Sequence, residues 1–183
     1  MRIISGNKRG MLLETPDGMD TRPTSDRIKE TLFNMIAPYV YDSYFLDLFA
    51  GSGQMGIEAL SRGAREAVFV EKDKRAIACI EKNLNKAKFD DDSLLLKTDV
   101  FSALNMLKNH SVFDIVFMDP PYNKLIEKDV LKSLANSPFI SDETLIIVEA
   151  SLETDFDYVE SYGYSITKEK LYKTNKHIFL KKA

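Results

Sequence analysis

Two short stretches of this sequence combine residue types that suit chemistry. The first is Asp119-Pro120-Pro121-Tyr122. Two consecutive prolines remove two backbone donors and stiffen the turn, so carbonyl oxygens are left without partners beside one carboxylate and one aromatic ring. Such a turn offers hydrogen-bond acceptors and a stacking surface but no nucleophile. It therefore suits a planar group that carries an amine.

The second stretch covers residues 45–56, where Gly51, Gly53 and Gly56 have the spacing G-x-G-x-x-G. An apolar strand pattern runs straight into these glycines, and a helix pattern follows. Glycine allows a positive φ and lets the backbone approach a ligand closely. Loops of this kind hold both nicotinamide dinucleotides and S-adenosylmethionine. The spacing therefore predicts a nucleotide-like cofactor without choosing between the two.

Acidic residues follow the next two strand-like runs. Glu71 lies 18 residues after Gly53, where a carboxylate can accept hydrogen bonds from ribose hydroxyls. Asp99 ends the third run and suits an adenine amino group. Because a helix pattern begins right after Asp99, this residue is also a favoured helix N-cap. Both roles are open for Asp99.

Strand-like and helix-like runs alternate from residue 44 onward. This alternation predicts an α/β protein with a mainly parallel, Rossmann-like sheet and helices on both faces. Ligands bind such sheets outside the carboxyl ends of the strands, where both stretches would lie. The predicted strands span residues 44–48, 67–71, 94–97, 112–118 and 144–148, and the predicted helices span about 54–62, 73–88, 100–109 and 124–135.

The two ends of the chain depart from this alternation. Apolar runs at residues 2–5 and 11–14 flank a basic tip and predict a small N-terminal hairpin. A helix pattern then begins near Ser25 and is predicted to stop at Pro38. After residue 150 the periodicity is strand-like or mixed over 156–161. The remaining runs, 164–172 and 177–180, predict an antiparallel hairpin added to the sheet.

Length and composition limit the classes of protein that are compatible with this chain. Its 183 residues suit one domain, and we expect residues 1–20 to form the hairpin extension and 21–183 the core. The apolar runs are shorter than the roughly 20 residues that span a bilayer. Since Cys79 is the sole cysteine, a disulfide or cysteine metal cluster within the chain is excluded. We expect a cytoplasmic monomer without a metal.

The charge is distributed unevenly, although the net charge is only -3. Residues 1–10 contain Arg2, Lys8 and Arg9 without an acid, and residues 168–183 contain six lysines against Glu169 alone. Two interpretations are open for these ends. They are either solvated surface or a basic patch that contacts nucleic-acid phosphates.

These motifs together resemble a known family. Asp119-Pro120-Pro121-Tyr122 resembles the (Asp/Asn)-Pro-Pro-(Tyr/Phe) motif of methyltransferases that act on exocyclic amines of nucleobases. The run 47–53 resembles the cofactor loop of class I S-adenosylmethionine-dependent enzymes. With the runs 2–6, 21–24 and 27–34, the whole chain is similar to bacterial 16S ribosomal RNA guanine-2-amino methyltransferases. One departure is Met11, which stands where the family often has an arginine.

The resemblance implies an activity and a set of site residues. It implies a class I fold with a seven-stranded sheet, S-adenosyl-L-methionine as cofactor, and 16S rRNA in a partly assembled small ribosomal subunit as substrate. The residues assigned on this basis are Asp119, Pro120 and Tyr122 for catalysis; Asp47, Phe49, Gly51, Gly53, Glu71, Lys72, Asp99 and Val100 for the cofactor; and Lys8, Arg9, Arg22 and Pro121 for RNA, with the C-terminal lysines as further phosphate contacts.

Other activities share part of the pattern. An adenine exocyclic-amine methyltransferase acting on DNA or RNA would use the same pocket motif, although a DNA enzyme usually needs an added recognition domain. A nicotinamide-dependent oxidoreductase would explain the glycine loop and Glu71 but gives residues 119–122 no task. Neither His110 nor His177 is a convincing proton-transfer residue for that chemistry. An RNA-binding module without catalysis would leave both motifs unexplained.

Overall fold

The structure is a computed structural model that describes residues 1–16, 25–121 and 126–183. Seven strands form one sheet, and the helices pack on its two faces. The strands are β1 (Tyr44–Asp47), β2 (Glu66–Val70), β3 (Ser93–Leu96), β4 (Ile115–Met118), β5 (Leu145–Ser151), β6 (Tyr164–Leu171) and β7 (Asn175–Lys182). The helices are α1 (Asp26–Val40), α2 (Gln54–Ser61), α3 (Lys74–Ala87), α4 (Val100–Met106) and α5 (Ile126–Ala135).

The sheet has the strand order β3-β2-β1-β4-β5-β7-β6. The first five strands in this order are parallel, whereas β7 is antiparallel to both β5 and β6. This confirms the predicted mainly parallel sheet and the C-terminal hairpin. Insertion of β7 beside β5 distinguishes the sheet from the dinucleotide-binding order 3-2-1-4-5-6. Since Asn175 pairs with Ser151, β7 begins at the edge where the parallel strands end.

Side-chain alternation along the strands creates two apolar layers. On one face, residues such as Leu46, Val116 and Ile146 pack with α4 and α5. On the other face, Phe45 and Phe117 pack with α1, α2 and α3. Asp47 and Asp119 follow Phe45 and Phe117 by two positions, so their side chains lie on this same face of the sheet.

One local prediction was wrong. Pro38 does not end α1, which continues to Val40. Pro38 is exposed and removes one backbone hydrogen bond, but burial of Ile36 and Val40 against the sheet outweighs that loss. Residues 156–161, whose periodicity is strand-like or mixed, form no strand. Their apolar side chains instead enter the core from a loop and a single 3₁₀ turn, Val159–Tyr162.

The N-terminal hairpin is confirmed and lies along α2. Its arms are joined by an antiparallel bridge between Arg2 and Leu12. The fully buried Glu58 carboxylate of α2 accepts hydrogen bonds from the backbone N–H groups of Ile4 (2.8 Å) and Ser5 (3.0 Å). The hairpin is thereby fixed to the helix that follows the glycine loop.

A buried lysine joins the hairpin to α1. The fully buried Lys29 donates to the Arg2 carbonyl at 2.6 Å, and its Nζ lies 3.5 Å from Glu58 Oε2. Burial lowers the pKa of Lys29, while the Glu58 charge acts in the opposite direction. In the part of the chain that the structure describes, no helix is both long and apolar enough to cross a membrane.

Candidate active site

Four ionisable side chains form a row across adjacent strands at the carboxyl edge of the sheet. They belong to Asp47 at the end of β1, Asp119 just after β4, Glu149 on β5 and His177 on β7. Met118 pairs with Val148, so Asp119 and Glu149 follow at the same level of the sheet. Glu149 in turn pairs directly with His177. By strand alternation all four lie on the face that carries α1, α2 and α3.

The glycine loop presents open backbone beside this row. Gly51 and Gly53 have φ values of 56° and 78°, and Gly53 is the residue from which α2 begins. A Cβ added at Gly51 would meet no atom of the described residues within 4 Å, so the loop is open there to a ligand. At Gly56 a Cβ would lie 2.3 Å from the Phe69 ring, so this glycine serves close packing of helix on strand.

Glu71 ties the glycine loop to the end of β2. Its Oε2 accepts from Gly51 N–H at 2.9 Å, and its Oε1 accepts from the N–H groups of Lys72 and Asp73 at 2.8 and 2.9 Å. The N-cap of α3 is Asp73 rather than Glu71. A carboxylate offers about four acceptor positions, so Glu71 retains room for a ligand hydroxyl.

Asp47 is a buried carboxylate with an unused oxygen. Its Oδ2 accepts from Gly56 N–H at 3.3 Å, whereas its Oδ1 is buried without a hydrogen-bond partner among the described residues. Burial, opposed by the Gly56 hydrogen bond and helped by the nearby Glu71 charge, raises the pKa of Asp47 to about 7. An unpaired buried acceptor of this kind is costly unless a ligand supplies a donor or a cation.

The remaining residues predicted to hold the cofactor lie around the same edge. Asp99 is the N-cap of α4, where its Oδ1 accepts from Phe101 and Ser102 N–H, and the Ser102 hydrogen bonds lower its pKa. This capping role was one of the two open interpretations. Val100 is buried at the start of α4, Phe49 is half-buried and Lys72 is exposed.

The turn after β4 carries the predicted catalytic residues. Asp119 is half-buried, Pro120 is buried and Pro121 is exposed. Burial and, to a smaller extent, the charges of Glu149 and Asp47 raise the pKa of the Asp119 carboxyl well above its usual range. Tyr122, predicted to stack on the substrate, and Arg22, predicted to contact RNA, lie outside the described residues.

Sequence reasoning missed the Glu149–His177 pair. Glu149 is 4% exposed and His177 is 0% exposed, and His177 Nε2 lies 3.0 Å from Glu149 Oε2. The other oxygen of Glu149 accepts from Asn175 Nδ2 at 2.6 Å. A glutamate just past Val148, at the end of the fifth predicted strand, could have been recognised by the same edge argument that identified Glu71. The strand of His177 gave no comparable indication, because its antiparallel pairing with β5 is a tertiary feature.

The predicted RNA contacts Lys8 and Arg9 do not lie at this edge. The N–H groups of Asn7 and Lys8 donate to Ser61 at the far end of α2, which places the hairpin tip about 12 Å, one helix length, from the glycine loop. Lys8 is half-buried, with Nζ 5.6 Å from the centre of the Phe89 ring. Arg9 is exposed and lines a surface pocket of about 360 Å³ together with Arg2 and Arg27.

The chemistry of these residues fits the methionine and adenosine parts of S-adenosylmethionine. The unpaired Oδ1 of Asp47 suits an ammonium group, and the open side of Gly51 admits a ligand against the backbone. Glu71, one strand away, suits hydroxyl donors. This edge of the sheet therefore offers fitting acceptors for the ammonium group and the ribose hydroxyls of that cofactor.

Comparisons with known proteins bear on the whole chain. The family model described as "Conserved hypothetical protein 95" matches residues 1–181. The Escherichia coli K12 and Haemophilus influenzae proteins named "Ribosomal RNA small subunit methyltransferase D" are 37% and 36% identical over 93% of this chain, covering 84% and 88% of their own lengths. The solved structure of Escherichia coli yhhF is 35% identical and superposes with a TM-score of 0.87 over 100% of this chain and 97% of its own. The chain thus belongs to the Conserved hypothetical protein 95 family, within the class I S-adenosylmethionine-dependent methyltransferases.

Proposed function

We propose that this protein transfers a methyl group from S-adenosylmethionine to the exocyclic 2-amino group of one guanine in 16S rRNA. The observation that carries the proposal is the position of the turn Asp119-Pro120-Pro121. The strand register pairs Asp47 with Phe117, so this acceptor-rich turn follows two residues further on, next to the point where β1 runs into the glycine loop, on neighbouring strands of one sheet edge. A cofactor held by the glycine loop and an amine held by the turn would meet between β1 and β4.

The chain's own residues would fix the methyl donor from three sides. When bound, S-adenosylmethionine supplies an electrophilic methyl group on a sulfonium. Asp47 Oδ1 would accept from its ammonium group, Glu71 would accept from its ribose hydroxyls, and Gly51 and Gly53 would let the backbone approach. Asp99, with one acceptor position left beyond its cap, together with Phe49, Lys72 and Val100, would border the adenine.

The turn after β4 would activate and orient the amine. An aromatic exocyclic amine is a poor nucleophile because its lone pair is delocalised into the ring. Asp119 and the Pro120 carbonyl would accept hydrogen bonds from its two protons, which favours a pyramidal nitrogen with its lone pair directed at the methyl group. Holding the two reactants in line can lower the barrier by several kcal/mol. Stacking of Tyr122 on the base stays a prediction.

The substrate assignment is supported by the relatives' names and by the chemistry of the pocket. Relatives of this chain are named for methylation of small-subunit ribosomal RNA. A base would have to be unstacked or flipped out of a helix to reach the buried Pro120. We further propose a partly assembled small subunit as the substrate particle and a cytoplasmic monomer as the active form.

The test is to identify the methylated nucleoside. The protein is incubated with methyl-labelled S-adenosylmethionine and 16S rRNA from cells that lack the relatives' activity, both as free RNA and within partly assembled small subunits. The RNA is then digested to nucleosides. The proposal predicts label in N2-methylguanosine at one position, with faster transfer to the particle than to free RNA.

Two outcomes would contradict the proposal. Label in N6-methyladenosine would assign the pocket to an adenine amine, which is the alternative that shares the Asp-Pro-Pro motif. Stabilisation of the protein against heat by NAD, without stabilisation by S-adenosylmethionine, would instead support the oxidoreductase interpretation.

A further inference from the structure

A buried polar network lies next to the reacting edge but has no task in the mechanism above. It consists of Glu149 and of three residues that approach it from β7 and from the turn between β6 and β7. Asn175 and His177 hold the two oxygens of the Glu149 carboxylate, at 2.6 and 3.0 Å. Tyr172 Oη lies 3.2 Å from the other ring nitrogen of His177. Because neutral imidazole has one donor nitrogen, donation to Glu149 leaves Nδ1 to accept from Tyr172.

The network is built into the sheet and is not a surface arrangement. His177 pairs with Glu149 across β5 and β7, and its ring meets the Phe117 ring edge-on at 6.2 Å. A buried carboxylate costs free energy, and apolar residues of the same size would pack without that cost. The presence of the buried Glu149 carboxylate is most easily explained if its charge acts on a neighbouring group.

That neighbour is Asp119. The pairing of Met118 with Val148 places Asp119 and Glu149 at one level on adjacent strands, on the same face of the sheet. We propose that Glu149, held by His177 and Asn175, is a positioning residue for amine methylation that acts through the Asp119 carboxyl. The proposal rests on the function proposed above, since it assumes that Asp119 is the group that accepts the amine.

The sign of the effect follows from the charges that face Asp119. Glu149 faces it from β5 and Asp47 from β1, and both raise its pKa. Glu71 lies beyond Asp47, and His177 and Tyr172 lie beyond Glu149. Asp119 therefore ionises at a higher pH when Glu149 is present than when its charge is removed. The ionised Asp119 carboxylate is then also a stronger proton acceptor. It is then better matched to the positive charge that develops on the amine nitrogen.

The test measures the single-turnover rate of methyl transfer against pH. In Glu149→Gln the side-chain shape is kept and the charge is removed. We expect the pH of half-maximal rate to fall by about 1 pH unit, the size of effect that one nearby charge produces, and the plateau rate to fall as well. The affinity for S-adenosylhomocysteine should stay within about twofold. The matched control is Glu143→Gln, in the exposed loop before β5, whose profile should superimpose on that of the wild type.

A second pair of variants keeps the proposal testable if Glu149→Gln does not fold. His177→Gln retains an N–H donor for Glu149, whereas His177→Leu does not. We expect His177→Gln to stay close to the wild-type rate and pH profile. We expect His177→Leu to lose rate and to shift its profile, with unchanged cofactor affinity.

Each result decides the proposal. Superimposed profiles of the wild type and Glu149→Gln, or equal behaviour of the two folded His177 variants, would overturn it. If the wild type methylates guanine but the profiles superimpose, this inference alone fails. If the wild type methylates no base amine, the proposed function fails and this inference with it.

Discussion

Asp47 is a single buried group that, in the proposed cofactor site, would link cofactor binding to the uptake and release of a proton. Its carboxyl has one oxygen without a partner among the described residues and a pKa raised to about 7 in the free protein. An ammonium group placed against this oxygen would favour the ionised form. Binding would then release a proton wherever the free protein holds Asp47 protonated.

The affinity for S-adenosylhomocysteine should therefore depend on pH. Below about pH 7 the free protein must first ionise Asp47, so we expect the affinity to rise by up to about tenfold per pH unit between pH 5 and 7 and then to level off. Isothermal titration calorimetry at several pH values measures this. In Asp47→Asn the affinity should be lower and flat over the same range. An equally steep rise in that variant would exclude Asp47 as the linked group.

The same residue should lower the stability of the free protein at alkaline pH. A folded-state pKa above the unfolded value means that the stabilising effect of protonation is complete below about pH 4 and is lost as pH rises to about 7. Asp47→Asn should therefore increase the free energy of unfolding at pH 8, by up to about 4 kcal/mol, and leave it nearly unchanged at pH 4. Urea denaturation at both pH values measures the difference. Destabilisation at pH 8 would contradict this account of the buried carboxylate.

At the scale of elements, the strand–loop–helix unit from β1 to α2 assigns different tasks to its glycines. Gly51 faces open space with a positive φ, whereas Gly56 packs against the Phe69 ring of β2. We propose that Gly51 serves the ligand, whereas the packing of Gly56 serves the fold.

Alanine substitution should separate these tasks. In Gly56→Ala the new Cβ would lie 2.3 Å from the Phe69 ring, so we expect a loss of about 1–3 kcal/mol of stability from overpacking. In Gly51→Ala we expect stability to fall by only about 1 kcal/mol, because of backbone strain at positive φ. We expect a marked loss of cofactor affinity in the same variant. Denaturation and calorimetry on both variants check this. Equal stability losses with equal affinities would contradict the division.

The parallel strands, the glycine loop and the turn at Pro120 could be predicted because each depends on local patterns and on the rule that parallel strands end at one edge. The continuation of α1 past Pro38 could not be predicted, because burial of Val40 outweighs the helix-breaking effect of that proline. His177 was missed because its contact with Glu149 depends on β7 pairing beside β5, which no local pattern reports.

At the scale of the whole molecule, the charge distribution bears on how RNA would bind. The net charge is -3, and the basic tip of the hairpin lies a helix length from the glycine loop. A flipped base and its flanking backbone would reach both places at once, since a few consecutive nucleotides span such a distance. Lys8 and Arg9 would then contribute to affinity without touching the target guanine.

Replacement of Lys8 and Arg9 by Ala should reduce the salt dependence of RNA binding. Each lost phosphate contact lowers the slope of log K against log salt by about 0.7 for single strands, so we expect a change of about 1.4. Binding to 16S rRNA fragments at several salt concentrations measures the slope. The matched control replaces Lys108 and Lys132, exposed lysines near α4 and α5, and should leave it unchanged. An unchanged slope in the Lys8 and Arg9 variant would remove the hairpin tip from the interface.

In the proposed function, the turn at Asp119 holds the amine that receives the methyl group. The most direct measurement is the single-turnover rate of methyl transfer to 16S rRNA by Asp119→Ala and Asp119→Asn, together with their affinity for S-adenosylhomocysteine. We expect Asp119→Ala to lose at least about 100-fold in rate with nearly unchanged affinity, and Asp119→Asn, which keeps an acceptor oxygen, to retain measurable transfer. Transfer by Asp119→Ala at the wild-type rate would contradict the account.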